Sequence, residues 1–383
     1  MARWLGLSQA QLSRIENGPA IVHLDRLAHW AQLLQIPARL LWFALPEGHE
    51  SGRAVSFAEV GKPILRPAGD QSLHFVRSLR LADRRVGGGH LYATVRAYLA
   101  DTIAGPVAGG ASPPEKTAFA AVASLNEMAG WMAHDSGAAE PARQHLGNAL
   151  ILAGRSDDHQ LVAQVHAGLS HLANHCGDAH GALSHARNGL EHLRQAPSHG
   201  RLHARLLALQ ARGLAIAGQP VEATRTLADA ETSMHGPVAM ASEWLSPFDV
   251  TSFAIEAARC FLRVGDLSES QRRLRAALAV SPADRVRSRA LAQLMLVTVL
   301  LGRGQIEEAC AVTHEVMDEI ASLGSGVIID QLRHASVLFT SYATACAVVP
   351  PLLDRLRDTI RERSWIGAVG ALQAGAAGDG QPG

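Results

Sequence analysis

The sequence predicts an all-α fold, and three observations carry that prediction. Apolar residues make up 48% of the 383 residues but aromatic residues only 4%, so the core must consist mostly of alanine, leucine and valine. This composition favours close-packed helices over a β-sandwich. From about residue 115 the apolar positions follow helical spacing, and a glycine recurs there at intervals of roughly 40 residues. Repetition at this period is typical of stacked helical hairpins, which form an α-solenoid.

Each recurring glycine predicts the turn of one helical hairpin. These glycines are Gly137, Gly177, Gly218, Gly265 and Gly304. Glycine suits such a turn because it adopts the left-handed conformation that ends a helix. A small residue follows each glycine five positions later, where two helices would cross closely; these are Ala142, Ala182, Ala223, Ser270 and Ala309.

The composition divides the chain into four segments. Residues 1–45 form a helical unit, and residues 46–114 form a linker in which two Gly/Pro-rich stretches flank a pair of helices. Residues 115–365 carry the helical repeats. Residues 366–383 are rich in glycine, alanine and glutamine, which predicts a disordered tail.

The charge balance excludes a protein that holds nucleic acid through overall charge. Lysine plus arginine number 35, as do aspartate plus glutamate, so the formal net charge is zero. Any nucleic-acid binding must therefore come from a local patch. One basic helix face in the linker, made by Arg77, Arg80, Arg84 and Arg85, is interpreted as a solvated face, with an auxiliary phosphate contact as the alternative.

No feature of the sequence points to an enzyme, a cofactor or a membrane. There is no nucleophile elbow, no pair of catalytic carboxylates and no Ser/His/Asp arrangement. His171 and His175 have the i, i+4 spacing of metal ligands, but without a third ligand they are interpreted as solvent-facing. No signal peptide and no apolar run of about 18 residues is present, so we expect a soluble, cytoplasmic protein.

The most specific local pattern lies between Ser8 and Gly18. Ser8 with Gln11 forms a capping box at the start of a helix, and Gly18 ends that helix. Leu12 and Ile15 form an apolar i, i+3 pair, while the intervening polar side chains point elsewhere. A second amphipathic helix follows from Leu24 onward, which completes a small helical unit.

These residues carry a resemblance. The string LGLSQAQLSRIENG, followed by LDRLAHWAQLLQIP, resembles the helix-turn-helix domain of the Xre/Cro family of repressors over residues 1–45. The resemblance implies that residues 8–17 are the recognition helix in the major groove of double-stranded DNA. Carried over by position, base edges would be contacted by Gln9, Ala10, Ser13 and Arg14, and phosphates by Ser8 and Asn17.

The sequence departs from that family at its first residue. Family members have a first helix and a full second helix before this point, whereas the chain begins at Met1, inside the expected second helix. Two interpretations stay open. Either the true start lies upstream, or the domain is a degenerate remnant with weak or no DNA binding.

The rest of the chain carries two further resemblances. The glycine-spaced hairpins resemble tetratricopeptide repeats, at a longer period than the usual 34 residues. The segments RLADRRVGGGHLYATVRAYL, ASLNEMAGWMAHDSG and WLSPFDVTSFAIEAARCFL look like those of actinobacterial Xre-type transcriptional regulators that carry such an array. The resemblance therefore implies a partial helix-turn-helix domain followed by a right-handed, tetratricopeptide-like α-solenoid.

Arrays of this kind bind peptides or partner helices on their concave face. The residues predicted to line that groove are Asn126, Glu127, Trp131, His134, Asp135, Trp244, Phe248 and Asp249. Asparagine amides can clamp a peptide backbone, and aromatic rings offer stacking area. The alternative is that these side chains only pack neighbouring repeats together.

The resulting hypothesis is a DNA-binding transcriptional regulator, active as a homodimer, whose array senses a peptide, a small molecule or a protein partner. In the alternative, the chain is an interaction adaptor that never binds DNA. An in-frame upstream coding stretch would favour the regulator, and a stop codon directly upstream would favour the adaptor.

Overall fold

The computed structural model describes residues 69–88, 91, 92, 95, 96, 98, 99, 116–282, 285–320 and 323–363. Across these residues the regular structure consists of thirteen α-helices, and the only β-type pairing is an isolated bridge between His199 and Val238. The all-α prediction is therefore confirmed. The predicted DNA-binding residues and the predicted disordered tail lie outside the described residues.

One helix, α1 (Gly69–Val86), precedes the repeat array. The array then comprises α2 (Lys116–Asp135), α3 (Ala139–Ala153), α4 (His159–His175), α5 (Ala179–Arg194), α6 (Gly200–Ile216), α7 (Pro220–Met234), α8 (Val250–Val264), α9 (Leu267–Val280), α10 (Val286–Gly302), α11 (Ile306–Glu319), α12 (Gly326–Thr340) and α13 (Val349–Arg363). Consecutive pairs from α2 onward form antiparallel hairpins. None of the described helices combines the length and the apolar character that a membrane span needs.

The five predicted turn glycines lie where the sequence indicates. Each follows the first helix of a hairpin, and their φ angles run from +74° to +88°. At every one of these turns the next residue's N–H bonds to the carbonyl five residues earlier, as from Asp178 to Ala173 at 2.9 Å. This bond defines a Schellman cap. A Cβ atom added at any of the five would meet nothing within 4 Å, so the backbone conformation alone requires glycine.

The small residues five positions later also lie where predicted. Ala142, Ala182, Ala223, Ser270 and Ala309 are all 0% exposed, at the crossing of the two helices of each hairpin. The hydroxyl of Ser270 donates to the carbonyl of Ala258 on the facing helix at 3.0 Å, so the polar member of the set is satisfied.

The array curls until its late hairpins contact its start. The Asp135 carboxylate, at the end of α2, accepts from the Gly88 N–H at 2.8 Å, from Arg287 Nη1 on α10 at 3.1 Å and from the Ser325 hydroxyl at 2.6 Å. Arg287 also donates to both carboxylate oxygens of Asp83 on α1, at 3.0 and 2.8 Å. We call these residues the closure network.

Glycine at two positions permits this closure. A Cβ at Gly87 would lie 2.8 Å from the Gly324 carbonyl oxygen, and one at Gly88 would lie 2.6 Å from the Met132 Cα. Backbone therefore packs directly against backbone where α1 ends.

Because the array curls back onto its start, the first helices of its hairpins enclose a central space. These helices are α2, α4, α6, α8 and α10.

Replacing a turn glycine should have the opposite effect to replacing a helical glycine. Gly218→Ala places a side chain at φ +74° and should lower the free energy of unfolding by about 1 kcal/mol. Gly147→Ala, inside α3 with no atom within 4 Å of the added Cβ, should raise it by up to about 1 kcal/mol. Urea unfolding of both variants and the parent chain measures the difference. Equal shifts of the unfolding free energy in the same direction would contradict the assignment of Gly218 to a left-handed turn.

Candidate ligand-binding groove

Three adjoining cavities of about 290, 800 and 590 Å³ lie in the central space. The first and second share Arg205 and Phe248 in their walls, and the first and third share Trp131 and His171. Their combined walls come mainly from the first helices of the hairpins and from residues 241–248. We call the space formed by these three adjoining cavities the groove.

The chain between α7 and α8, residues 235–249, crosses one side of the groove, and we call it the strap. Gln160 on α4 holds it with both ends of its amide: Nε2 donates to the Met240 carbonyl at 2.8 Å and Oε1 accepts from the Ser242 N–H at 2.7 Å. Gln164, one turn later, accepts from the Ser246 N–H at 2.6 Å. The strap is therefore fixed through its backbone.

Arg80 on α1 holds the strap from the other side. Its Nη2 donates to the Trp244 carbonyl at 2.7 Å and its Nη1 to the Leu245 carbonyl at 3.3 Å. The same guanidinium lies 3.6 Å from the Glu127 carboxylate, and its side chain is only 12% exposed. The interpretation of a uniformly solvated basic face is therefore wrong at Arg80, although Arg77 is exposed.

Glu127 on α2 lies at the centre of a second set of contacts. Its side chain is 1% exposed and accepts from Gln164 Nε2 at 2.7 Å and from the Trp131 indole N–H at 3.4 Å. Together with Arg80, these donors satisfy a carboxylate that would otherwise be costly to bury. Glu127 thereby links α2, α4 and α1 beneath the strap.

Glu256 on α8 binds three basic groups. Its carboxylate lies 2.5 Å from Arg259, 3.4 Å from Arg212 and 3.5 Å from the His171 ring. Burial raises the pKa of this carboxyl group, but Arg259, His171 and Arg212 outweigh burial and hold the pKa well below its ordinary value. Burial also lowers the pKa of Arg212 to about 10, and both groups remain charged at neutral pH.

Arg205 on α6 lies against two aromatic rings. Its guanidinium carbon lies 5.8 Å from the Trp131 ring centroid and 6.0 Å from that of Phe248, within cation–π distance. Within the part of the chain that the structure describes, it makes neither a hydrogen bond nor an ion pair. Burial lowers its pKa, against the opposing effect of Glu127 and Glu256.

Three histidines and Trp131 form a ring cluster at the far end of the groove. The His134 ring lies 5.6 Å from that of His171 and 4.6 Å from that of His175, and Trp131 lies 5.0 Å from His171. Burial, followed by the neighbouring histidines, lowers the pKa of His134 to about 2, and burial lowers that of His171 to about 4. The interpretation of His171 as solvent-facing is wrong, because its side chain is 15% exposed.

The structure brings five of the eight predicted groove residues into the walls. These are Glu127, Trp131, His134, Asp135 and Phe248. Asp249 lies beside the groove, where it caps α8 and pairs with Arg285 at 2.6 Å.

The other two predicted residues do not line the groove. The Asn126 amide donates to the Val122 carbonyl of its own helix at 2.9 Å. Trp244 is 4% exposed and belongs to the apolar core beside α2 and α4. The backbone clamp that we expected of Asn126 is provided by Gln160 on the next inner helix.

Sequence reasoning missed the arginines that give the groove its charge. Arg205, Arg212, Arg259 and Arg287 each lie on the first helix of a hairpin, but nothing local separates them from exposed arginines. One signal was available for Arg205 and Arg212, because both lie on α6 among buried alanines and leucines. A charge within an apolar stripe indicates either a buried ion pair or a binding site.

The lowered histidine pKa values predict a loss of stability in mild acid. The pKa of each ring is lower in the folded protein than in the unfolded chain, where it is near 6.5. As the pH falls below 6.5, the unfolded chain therefore gains a proton that the folded protein does not, and the free energy of unfolding decreases. Between pH 7 and pH 5 each of His134 and His171 should lower the free energy of unfolding by about 1–2 kcal/mol, while the carboxylates remain ionised. His134→Gln should remove its share of this loss.

Urea unfolding at pH 7 and pH 5 measures the effect, with His180→Gln as the matched control because His180 is exposed on α5. The control should follow the parent chain. A His134→Gln chain that loses as much stability as the parent would contradict the assignment of a buried neutral ring.

Comparison with known proteins gives a match at the level of fold. No protein-family model and no curated protein matches this chain. Among solved structures it is similar to the Rap protein in its crystal structure with competence and sporulation factor, at 14% sequence identity and a TM-score of 0.50. The match covers 79% of this chain and 86% of the Rap chain. The likeness establishes a helical-repeat α-solenoid for this protein.

Proposed function

We propose that the groove binds a peptide and that this binding regulates the activity of the chain. The observation that carries the proposal is the way the inner helices beside the groove already hold a non-helical segment, the strap, through its backbone. The Gln160 amide bonds both a carbonyl and an N–H two residues apart, at 2.8 and 2.7 Å. A peptide ligand offers the same alternating donors and acceptors.

Two further features support a peptide as the ligand. The cavities, of about 290 to 800 Å³ each, are open to a segment of several residues and are lined by both aromatic rings and charged groups. The similar Rap protein was crystallised with competence and sporulation factor, which supports a helical-repeat array that binds an effector.

We propose further that the chain is a transcriptional regulator in the cytoplasm. It would act by binding DNA and not as an enzyme. Residues 8–17 would contact double-stranded DNA, with Gln9 and Arg14 at base edges. In a homodimer the two recognition helices must be about 34–36 Å apart to reach successive major grooves. A peptide that binds one arrangement of the array better than another would change that spacing by shifting populations.

The peptide proposal is tested by selection from a random hexapeptide library against the immobilised full-length chain, followed by calorimetry on the selected peptides. Ser288 lies in the walls of the first and third cavities, so Ser288→Trp should fill the groove and weaken binding roughly tenfold or more. Ser184→Trp, on the exposed face of α5, is the matched control and should bind as the parent does. The proposal fails if no peptide binds, or if both variants bind as the parent does.

The DNA proposal is tested by fluorescence anisotropy of the full-length chain across a salt series, on DNA that flanks its own gene. Arg14→Ala should cost about 1–3 kcal/mol of site-specific binding while leaving non-specific binding nearly unchanged. An equal loss on all sequences would mean that Arg14 contacts only phosphate. The absence of any binding at low salt would overturn the regulator and leave the interaction adaptor.

A further inference from the structure

The charges around the first cavity do not balance. The relevant side chains are the charged ones in the wall of this cavity and their ion-pair partners, among the described residues. Six are arginines and five are carboxylates; they are Arg80, Arg205, Arg212, Arg259, Arg285, Arg287, Asp83, Glu127, Asp135, Asp249 and Glu256. Among these described side chains the arginines therefore outnumber the carboxylates by one, with the neighbouring histidines neutral.

Arg205 is the one arginine of this set that has no carboxylate partner among the described residues. Arg80 pairs with Glu127, Arg285 with Asp249, and Arg287 with both Asp83 and Asp135. Arg212 and Arg259 share Glu256. Arg205 remains, and the structure gives it two aromatic rings instead of a carboxylate.

The two carboxylates whose charge acts on Arg205, Glu127 and Glu256, are occupied by other donors. Glu127 accepts from Gln164 at 2.7 Å and from Trp131 at 3.4 Å, and it faces Arg80. Glu256 binds Arg259, Arg212 and His171. Among the described residues the Arg205 guanidinium thus has no hydrogen-bond or ion-pair partner, and it belongs to the walls of both the first and the second cavity.

On these grounds, and resting on the proposed peptide function, we infer that Arg205 is the recognition group for one carboxylate of the peptide. A guanidinium presents donors in a planar fork that matches the two oxygens of a carboxylate. The Trp131 and Phe248 rings lie within cation–π distance of the guanidinium but accept no hydrogen bond from it, so its N–H donors remain for the ligand. The ligand carboxylate would restore charge balance around the first cavity.

The carboxylate could be the C-terminus of the peptide or the side chain of aspartate or glutamate. A peptide selected against the full-length chain is remade as its C-terminal amide, and separately with each acidic residue changed to Asn or Gln. The form that lacks the recognised carboxylate should bind roughly 10- to 100-fold more weakly, the range for hydrogen bonds to a charged group. The affected position identifies the source.

The same peptides are then titrated into Arg205→Met, which keeps an apolar stem against the two rings, and into Arg205→Lys, which keeps the charge. Arg205→Met should weaken the parent peptide by the same factor and make the carboxylate substitution silent, and Arg205→Lys should restore only part of the affinity. Arg225→Met, on the exposed side of α7, is the matched control and should behave as the parent chain does.

The outcomes separate this inference from the function on which it rests. If peptides bind but neither their carboxylates nor Arg205 affect the affinity, the inference is overturned and the proposed function stands. If carboxylate removal and Arg205→Met weaken binding additively, Arg205 acts elsewhere and the inference also fails. If the library yields no binding peptide, both fail. Circular dichroism and the urea midpoint show whether each variant is folded.

Discussion

The ion pair between the buried Asp135 carboxylate and Arg287 closes the array, and the groove depends on that closure. A charge of either sign in this position is costly to bury, and removing one partner of such a pair typically costs several kcal/mol. Here the carboxylate accepts from three elements that are remote in the chain, and Arg287 ties it to Asp83 as well. This interaction brings the late hairpins onto α1 and α2, so the inner helices enclose a groove instead of lining an open curve.

Closure explains why the groove is built from arginine. Only two of the 35 basic residues of the chain are lysines, Lys62 and Lys116. A guanidinium can bond two carboxylates at once and can pack its plane on aromatic rings, whereas an ammonium group is more strongly hydrated. Arg287 uses the first property and Arg205 the second. The same chemistry therefore serves both the stability of the closed array and, on the inference drawn above, the recognition of a carboxylate.

The sequence could predict the parts of the fold that depend on residues close together in the chain. It could not predict the contacts between remote residues that close the array. Gly177 and Ala182 act within one hairpin, so their spacing indicates both the turn and the crossing. Arg287 bonds Asp83 across 204 positions, and no local pattern reports such a pair. For the same reason Arg77 and Arg80 look equivalent in the sequence, although only Arg80 reaches the strap.

The strap connects ligand binding to the rest of the chain. Ser246, Pro247 and Phe248 belong to the walls of both the first and the second cavity, so an occupant of either space must contact strap residues. The strap is bonded in turn to Arg80 on α1, the first described helix along the chain. Because the closure network also bonds α1 through Asp83, the strap and the late hairpins act on one helix. On the proposed function, a ligand that displaces the strap would therefore act on α1 and, through Asp83, on the closure network.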